Sequence, residues 1–338
     1  MIGRLIRQLV KSLARRSGFE IVEAARLYDW QTEFRDRRSH EREALPPGAA
    51  EHLRIDSPRL MDLKERYARV DAAVRNPLVW TDDYLTPDDL TYFRGDNPYV
   101  FQLRGRNMNE LSYMVSYYAA RSADQLGFFG RLAEDRFFGV HTFTIDRRLI
   151  SRDLLDSISE LSFLEHHLGL SQRSNVRMLD IGAGYGRLAH RATTGMPSVK
   201  SYLCADAIPE SSFVCEFYLE YRRVNDRARM VPLDEVESAI EEAPIDVAVN
   251  VHSFSECSLE AIDWWIALLK RNKVPRLMVV PNIVAADGVT MLTNAREDFT
   301  RIVHAAGYRL LANEPKYPDP MVQKYGINPA RNFLFGLQ

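Results

Sequence analysis

The chain has 338 residues, enough for one large domain or two ordinary ones. Its 44 basic and 46 acidic side chains give a net charge of −2, so no overall positive field marks a nucleic-acid-binding protein. The three cysteines lack metal-ligand spacing and predict buried thiols in a reducing, cytoplasmic compartment, and no apolar run of about 18 residues predicts a membrane span.

A basic amphipathic helix is predicted over residues 1–17. Apolar residues recur at helical spacing from Ile2 to Leu13, basic residues fill other positions, and no acid occurs before Glu20. Such a helix could lie on an anionic membrane surface, contact another copy of the chain, or pack on the chain's own core. We therefore expect a cytoplasmic protein, with peripheral membrane association and homo-oligomer contact both left open.

Residues 1–150 are predicted to form a mainly helical region that precedes a second domain at 151–338. Residues 35–56 are charged and interrupted by prolines, as in a linker or an exposed loop. Thr86, Pro87 and two following aspartates indicate a helix start. Residues 92–138 are rich in aromatic side chains, which predicts a helical core with a few rings left to line an acceptor pocket or an oligomer contact.

The most informative segment is residues 176–186, with the sequence Val-Arg-Met-Leu-Asp-Ile-Gly-Ala-Gly-Tyr-Gly. An apolar run ending at Asp180 predicts a buried parallel strand, and glycines at alternate positions let the backbone turn closely against a ligand. Arg187 stands where a dinucleotide-binding fingerprint needs its third glycine, so the NAD interpretation is weak. A helix from Ser151, its cap, to about Leu168 leads into this strand.

Strands and helices then alternate to the end of the chain. After the first strand, further strands are predicted at 198–205, 229–231, 245–251, 276–280, 308–311 and 332–337. No helix long enough for a crossover fits between the last two, so the final strand should be antiparallel. The predicted fold is α/β, a doubly wound, seven-stranded Rossmann-like sheet with an antiparallel last strand.

An acid two residues before Gly-x-Gly-x-Gly resembles the first motif of class I S-adenosylmethionine (SAM) methyltransferases. The resemblance implies SAM as the methyl donor and a second acid, Asp206, that accepts hydrogen bonds from the ribose hydroxyls. The implied cofactor-binding residues are Asp180, Gly182, Ala183, Gly184, Gly186, Asp206, Ala207, Asn250 and Arg152. Arg152 is a candidate partner for the carboxylate of the donor, or else a solvated surface arginine.

Two further motifs narrow the resemblance. Residues 151–157 and the Asn-x-x-Ser-Phe-x-Glu stretch at 250–256, together with the Gly-x-Gly-Tyr-Gly-Arg loop, look like the bacterial family of sugar O-methyltransferases over residues 138–338. The family often has methionine where Cys257 stands, a departure that concerns packing more than chemistry. The resemblance implies in-line attack of a sugar hydroxyl on the methyl group of SAM.

Ligands of open parallel sheets lie beyond the carboxyl ends of the strands, where residues 250–256 follow the fourth strand. His252 is the predicted general base, and Glu256 either orients it or acts in its place. Ser253, Tyr317 and Tyr325 are predicted to contact the acceptor. Alternatively, His252 is a satisfied histidine at a strand end, and Ser253 with Glu256 forms a capping box.

We predict no metal ion. Mg²⁺ would need converging carboxylates, and the candidates Asp287 and Asp319 have no supporting spacing. Two alternative functions stay open, because acceptor choice is set by the pocket and not by the fold. One is a methyltransferase that acts on the oxygen or nitrogen of a non-sugar small molecule or lipid, and the other is a non-catalytic SAM-binding assembly protein.

Overall fold

A computed structural model describes residues 2–17, 21, 45–75, 78–80, 85–100 and 109–338 of the chain. Its helices are α1 (Ile2–Arg16), α2 (Ala49–His52), α3 (Pro58–Tyr67), α4 (Ala72–Arg75), α5 (Pro87–Thr91), α6 (Glu110–Ala123), α7 (Phe128–Arg131), α8 (Arg152–Leu168), α9 (Arg187–Gly195), α10 (Pro209–Tyr221), α11 (Val236–Glu241), α12 (Leu259–Arg271), α13 (Thr300–Ala305) and α14 (Pro320–Tyr325). Its strands are β1 (Phe143–Ile145), β2 (Arg148–Ile150), β3 (Val176–Ile181), β4 (Val199–Ala205), β5 (Ala228–Val231), β6 (Val247–His252), β7 (Arg276–Pro281), β8 (Ile283–Val284), β9 (Met291–Leu292), β10 (Tyr308–Pro315) and β11 (Arg331–Leu337).

Seven strands form one sheet in the order β10-β11-β7-β6-β3-β4-β5. The strands from β3 to β7 pair in parallel, whereas β11 is antiparallel to both of its neighbours, β7 and β10. This is the predicted doubly wound, seven-stranded Rossmann-like sheet with an antiparallel last strand, so the predicted fold is confirmed. The reversal follows because the connection from β10 to β11 contains only the six-residue helix α14 and no crossover.

Helix α8 begins and ends at the predicted signals. The Ser151 hydroxyl accepts a hydrogen bond from the backbone N–H of Leu154, and Gly169 ends the helix with a left-handed φ of 57°. The helix buries its apolar face against the sheet domain and, on its other side, packs against α6. It thereby brings Arg152, at its first turn, to the edge of the sheet where β3 ends.

The described part of the N-terminal region packs directly on the sheet domain. Helix α3 contacts α10, α4 contacts α12, and α6 contacts α8. Phe93, Tyr113, Phe128 and Phe138 from the aromatic-rich segment are buried, in one hydrophobic cluster that continues into the sheet. The domain boundary at residue 150 stays a prediction.

The structure differs from the sequence predictions, or does not describe the residues concerned, in a few places. Residues 35–44 of the predicted linker and residues 101–108 of the aromatic-rich segment lie outside the described residues, while α2 lies within the remainder of that linker. The hairpins β1–β2 and β8–β9 were not predicted. The β1–β2 hairpin has Asp146 and Arg147, both with positive φ, as its turn residues. The sequence therefore lacks the Asn-Gly pair that usually indicates such a turn.

The predicted N-terminal helix is confirmed over Ile2–Arg16. Ile6, Leu9, Val10 and Leu13 on this helix are exposed. Within the described residues, no helix combines the length and apolar character needed to cross a membrane.

A buried ion-pair network joins the N-terminal region to the sheet domain. The Glu134 carboxylate accepts hydrogen bonds from Arg94 Nη2 at 2.6 Å and Arg191 Nη2 at 2.9 Å, and the Ser151 hydroxyl also donates to it. All of these groups are buried. Burial would raise the pKa of Glu134, but the Arg191 and Arg94 guanidiniums hold it well below its ordinary value.

Replacing Glu134 by Gln should lower the free energy of unfolding by about 3–5 kcal/mol, because two buried guanidiniums lose their compensating charge. The contribution of this carboxylate is complete above the ordinary glutamate pKa and is lost as the pH falls through its lowered folded-state pKa. Urea unfolding measures both effects. The control is Glu65→Gln, which removes an exposed pair with Arg69 and should cost less than about 1 kcal/mol. Equal losses in the two variants would contradict a structural role for the network.

Candidate functional site

The glycine loop between β3 and α9 is shaped by backbone conformations that suit glycine. Gly182, Gly184 and Gly186 have φ of 74°, 55° and 82°. The backbone N–H of Gly182 donates to Ala205 O at 2.8 Å, which ties the loop to the end of β4. Gly186 is the residue before α9, so the loop leads directly into a helix N-terminus.

Ser253 packs against this loop so closely that no side chain fits at position 182. A Cβ added to Gly182 would lie 2.0 Å from Ser253 Oγ. Ser253 Oγ donates to Ile181 O at 3.3 Å and accepts from Asn250 Nδ2 at 2.8 Å. Asn250 also donates to Ile181 O and accepts from the backbone N–H of Phe254. Asn250 is therefore buried and holds Ser253 in place by a hydrogen bond, and Ser253 forms part of the cavity wall.

Two carboxylates flank the glycine loop at adjacent strand ends. Asp206 follows β4 and accepts from the backbone N–H groups of Gly184 and Ile208, both at 2.9 Å. Asp180 lies within β3 and accepts from the Tyr202 hydroxyl at 3.0 Å. Burial raises the pKa of each carboxyl to about 7, although these donors oppose the rise.

A cavity of about 140 Å³ opens at this edge of the sheet. Its walls come from the glycine loop, the first turns of α8, the residues after β4 and β6, and the N-terminal region. They include Asp180, Gly182, Ala183, Gly184, Arg152, Asp156, Asp206, Ala207, Ile208, His252, Ser253, Glu256, Trp80, Tyr99 and Val100. Most of the predicted cofactor-binding residues are thus brought together. A larger cavity of about 300 Å³ lies between α6, α8 and the end of β10, away from the glycine loop.

Arg152 lines the cavity and forms an ion pair on its own helix. Its Nε donates to Asp156 Oδ2 at 3.1 Å, and Asp156 also accepts from Lys316 Nζ and from Asn328 Nδ2. Burial would raise the pKa of Asp156, but Lys316 and Arg152 hold it well below its ordinary value. The cavity therefore has a fixed charged wall in which one carboxylate is shared between two cations.

His252 ends β6 in a strained backbone conformation and contacts the cavity. Its φ is 71°, which is uncommon for a residue other than glycine and strains the backbone. Its Nδ1 is buried and has no hydrogen-bond partner among the described residues. Burial lowers the pKa of His252 to about 3, and the nearby Arg152 guanidinium lowers it further than Asp156 can offset. The imidazole is therefore neutral at physiological pH.

Glu256 lines the cavity, but both oxygens of its carboxylate already accept hydrogen bonds. Trp80 Nε1 donates to Oε2 at 2.6 Å and Asn282 Nδ2 donates to Oε1 at 3.0 Å. The backbone N–H of Leu78 donates to the carbonyl of Glu256 at 2.7 Å. Burial raises the pKa of Glu256 in spite of these bonds. Glu256 fastens residues 78–80 over the cavity, and the alternative capping box with Ser253 is not formed.

The two predicted acceptor-binding tyrosines lie apart from the cavity. The Tyr317 hydroxyl donates to Ile327 O at 3.0 Å, and its buried ring lines the larger cavity instead. Tyr325 is half-buried in α14, where Lys324 approaches its ring. Sequence reasoning missed Trp80, which carries no motif, and Lys316, whose partner Asp156 is remote in the sequence. Tyr99 does line the cavity, and the aromatic richness of its segment was its signal.

The two aspartates that were candidates for a metal site accept hydrogen bonds from residues that follow them closely in the sequence. Asp287 accepts from Val289 N and Thr290, and Asp319 caps α14. Outside the glycine-loop cavity, His166, His167 and Glu314 place atoms of ligand type within 4.8 Å of one another.

No protein-family model and no curated protein matches the chain. Solved structures that resemble it include the [4+2]-cyclase SpnF, with 15% identity, coverage of 66% of this chain and 94% of that one, and a TM-score of 0.40. The StiE O-MT has 14% identity, coverage of 55% and 75%, and a TM-score of 0.40. Magnesium protoporphyrin IX methyltransferase from Synechocystis PCC 6803, crystallised with bound SAM, has 11% identity, coverage of 66% and 97%, and a TM-score of 0.39. Likenesses this weak add no argument to the strand order, which itself establishes the fold.

Replacing Gly182 by Ala should destabilise the protein more than replacing Gly184 by Ala. Both glycines have left-handed φ, which costs about 1–2 kcal/mol for alanine, but only position 182 also meets Ser253. The nearest atom to a Cβ at 184 is Tyr99 Cδ1 at 3.9 Å. We expect an additional loss of about 1–3 kcal/mol at 182 in urea unfolding, largely relieved in the Gly182→Ala, Ser253→Gly double variant. Equal losses at 182 and 184 would show that the Ser253 contact does not constrain the loop.

Proposed function

We propose that this chain is a SAM-dependent O-methyltransferase that acts on a hydroxyl of a sugar or glycosylated acceptor. The observation that carries the proposal is the glycine loop of three left-handed glycines, with Asp206 hydrogen-bonded to Gly184 beside it, in a cavity at the carboxyl ends of parallel strands. The sugar-methyltransferase resemblance of residues 151–157 and 250–256 supports the acceptor class.

The residues of the cavity suit the groups of SAM. Asp206 would accept hydrogen bonds from the ribose hydroxyls, and Asp180 would serve the ammonium group. Arg152 would pair with the donor carboxylate while it keeps its contact with Asp156. When bound, SAM supplies a methyl group already activated by a positive sulfonium, so alignment of the acceptor oxygen provides most of the acceleration.

His252 has the properties of a group that positions the acceptor hydroxyl and takes its proton. Its neutral Nδ1 lacks a hydrogen-bond partner among the described residues, so a hydroxyl that donates to it would satisfy a buried acceptor. A base with a pKa near 3 is weak toward a free alcohol. It suffices here because the hydroxyl becomes strongly acidic as its oxygen bonds to the methyl carbon.

The proposed reaction is tested with methyl-labelled SAM and a panel of free sugars, glycosides, phenols, amines and lipids. The proposal expects a stable methyl ether on a sugar hydroxyl. If the labelled methyl group appears only on another class of acceptor, that class is the acceptor and the sugar proposal is wrong. Binding of S-adenosylhomocysteine (SAH) without transfer to any acceptor would favour the non-catalytic alternative.

Replacing His252 by Ala should lower kcat by about 10²–10⁴-fold and change the Kd of SAH by less than about threefold. At saturating SAM, wild-type kcat should show no inflection near pH 6.5, because the pKa of His252 is lowered to about 3. The matched control is His166→Ala, an exposed histidine that does not line the glycine-loop cavity. Unchanged kcat in the His252 variant would remove His252 as the base.

SAH affinity should be independent of pH above about 7 and should weaken as the pH falls below it. Without ligand, the pKa of the Asp206 carboxyl is raised to about 7, and hydroxyl donors in the complex would lower it. Below pH 7, Asp206 must therefore release a proton when the ligand binds. Calorimetric titration between roughly pH 5.5 and 8.5 measures this dependence. Asp206→Asn should weaken binding by about tenfold to a hundredfold and flatten the slope, leaving the part due to Asp180. A slope unchanged in that variant would mean that Asp206 does not bind the ligand.

A further inference from the structure

The apolar face of α1 is left uncovered. The exposed fractions of Ile6, Leu9, Val10 and Leu13 are 56%, 65%, 46% and 55%. Their spacing of three and four residues places them on one side of the helix. The hydrophobic core of the described residues begins beyond α1, so no described part of the core accounts for this face.

By helical periodicity, four basic positions of the same helix fall on its other side. Arg4, Arg7, Lys11 and Arg15 follow one another at intervals of three or four residues, out of phase with the apolar positions. Arg16 adds a fifth cation, and α1 contains no acid. The chain as a whole has a net charge of −2, so α1 is a basic element on an otherwise acidic protein.

We propose that α1 docks this protein in the plane of an anionic lipid surface. A helix with large apolar side chains on one face and cations on the other can bury the first among acyl chains while the second contact lipid phosphates. Charge complementarity favours a lipid surface over a second copy of α1, because two copies would bring together ten cations without an acid between them. The proposal concerns where the enzyme works and does not depend on the proposed reaction.

Vesicle sedimentation of the full chain tests the proposal. One set of vesicles is phosphatidylcholine, and in the other about a third of the lipid is phosphatidylglycerol. The protein should sediment with the anionic vesicles and remain in solution with the neutral ones. Raising NaCl to about 0.5 M should weaken the association, because salt screens the contribution of the cations.

Two double variants separate the apolar and the electrostatic contributions. Leu9→Gln with Leu13→Gln should abolish sedimentation with anionic vesicles. Arg7→Gln with Lys11→Gln should weaken it by about fivefold for each cation removed. The matched control is Leu311→Gln with Met321→Gln, which replaces two side chains exposed by 55% and 59% elsewhere and should bind as wild type.

SAH binding is measured in every variant as a check on folding and should be unchanged, since none of the α1 side chains that the structure describes lines the glycine-loop cavity. Failure of methyl transfer in the wild-type protein and in every variant would overturn the proposed reaction, but the vesicle test would still decide lipid docking. Equal sedimentation with neutral and anionic vesicles, or binding unaffected by the Leu9 and Leu13 changes, would overturn lipid docking. So would a wild-type oligomer that dissociates in the Leu9 and Leu13 variant while neither protein binds vesicles.

Discussion

The contact between the glycine loop and Ser253 is the constraint on which the cavity depends. Ser253 occupies the space that any side chain at position 182 would need, and Asn250 holds it there from behind. The ends of β3 and β6 are thereby fixed at one separation. The chain must then turn sharply at the end of β6, and His252 makes this turn with its positive φ. The same packing that shapes the loop therefore sets the position of the histidine at the cavity.

The N-terminal region completes the cavity through contacts that the sheet alone could not provide. Trp80 donates to Glu256, and its ring lies 5.2 Å from that of Tyr99, so the two aromatic rings form part of the cavity wall together. The buried pairs of Glu134 with Arg94 and Arg191 hold neighbouring parts of the same region against α9. Acceptor selection would then depend on residues from before position 150, even though the glycine loop belongs to the sheet. Glu256 therefore positions Trp80 at the cavity, in addition to its predicted catalytic role.

The parts that the sequence predicts well are those governed by local chemistry. The cap at Ser151, the stop at Gly169 and the strand into Gly182 each follow from neighbours in the chain, and the short final connection dictates the antiparallel strand. The charged wall is different, because Lys316 reaches Asp156 across 160 positions of sequence. The sequence between β10 and β11 does not show which of its polar side chains faces the glycine-loop cavity. The Tyr317 hydroxyl donates to Ile327 O, so this side chain is satisfied away from the glycine-loop cavity.

The charges around His252 define what it can do as a base. Arg152, Arg187 and Lys316 all disfavour an imidazolium, and Asp156 is the nearby group that favours it. Arg187 is paired with Glu160, whereas Asp156 is shared by Arg152 and Lys316. A second anion at Arg152 would offset part of the positive charge with which this guanidinium disfavours the imidazolium. The proposed pairing of a donor carboxylate with Arg152 would thus weaken one of the charges that make His252 a poor proton acceptor.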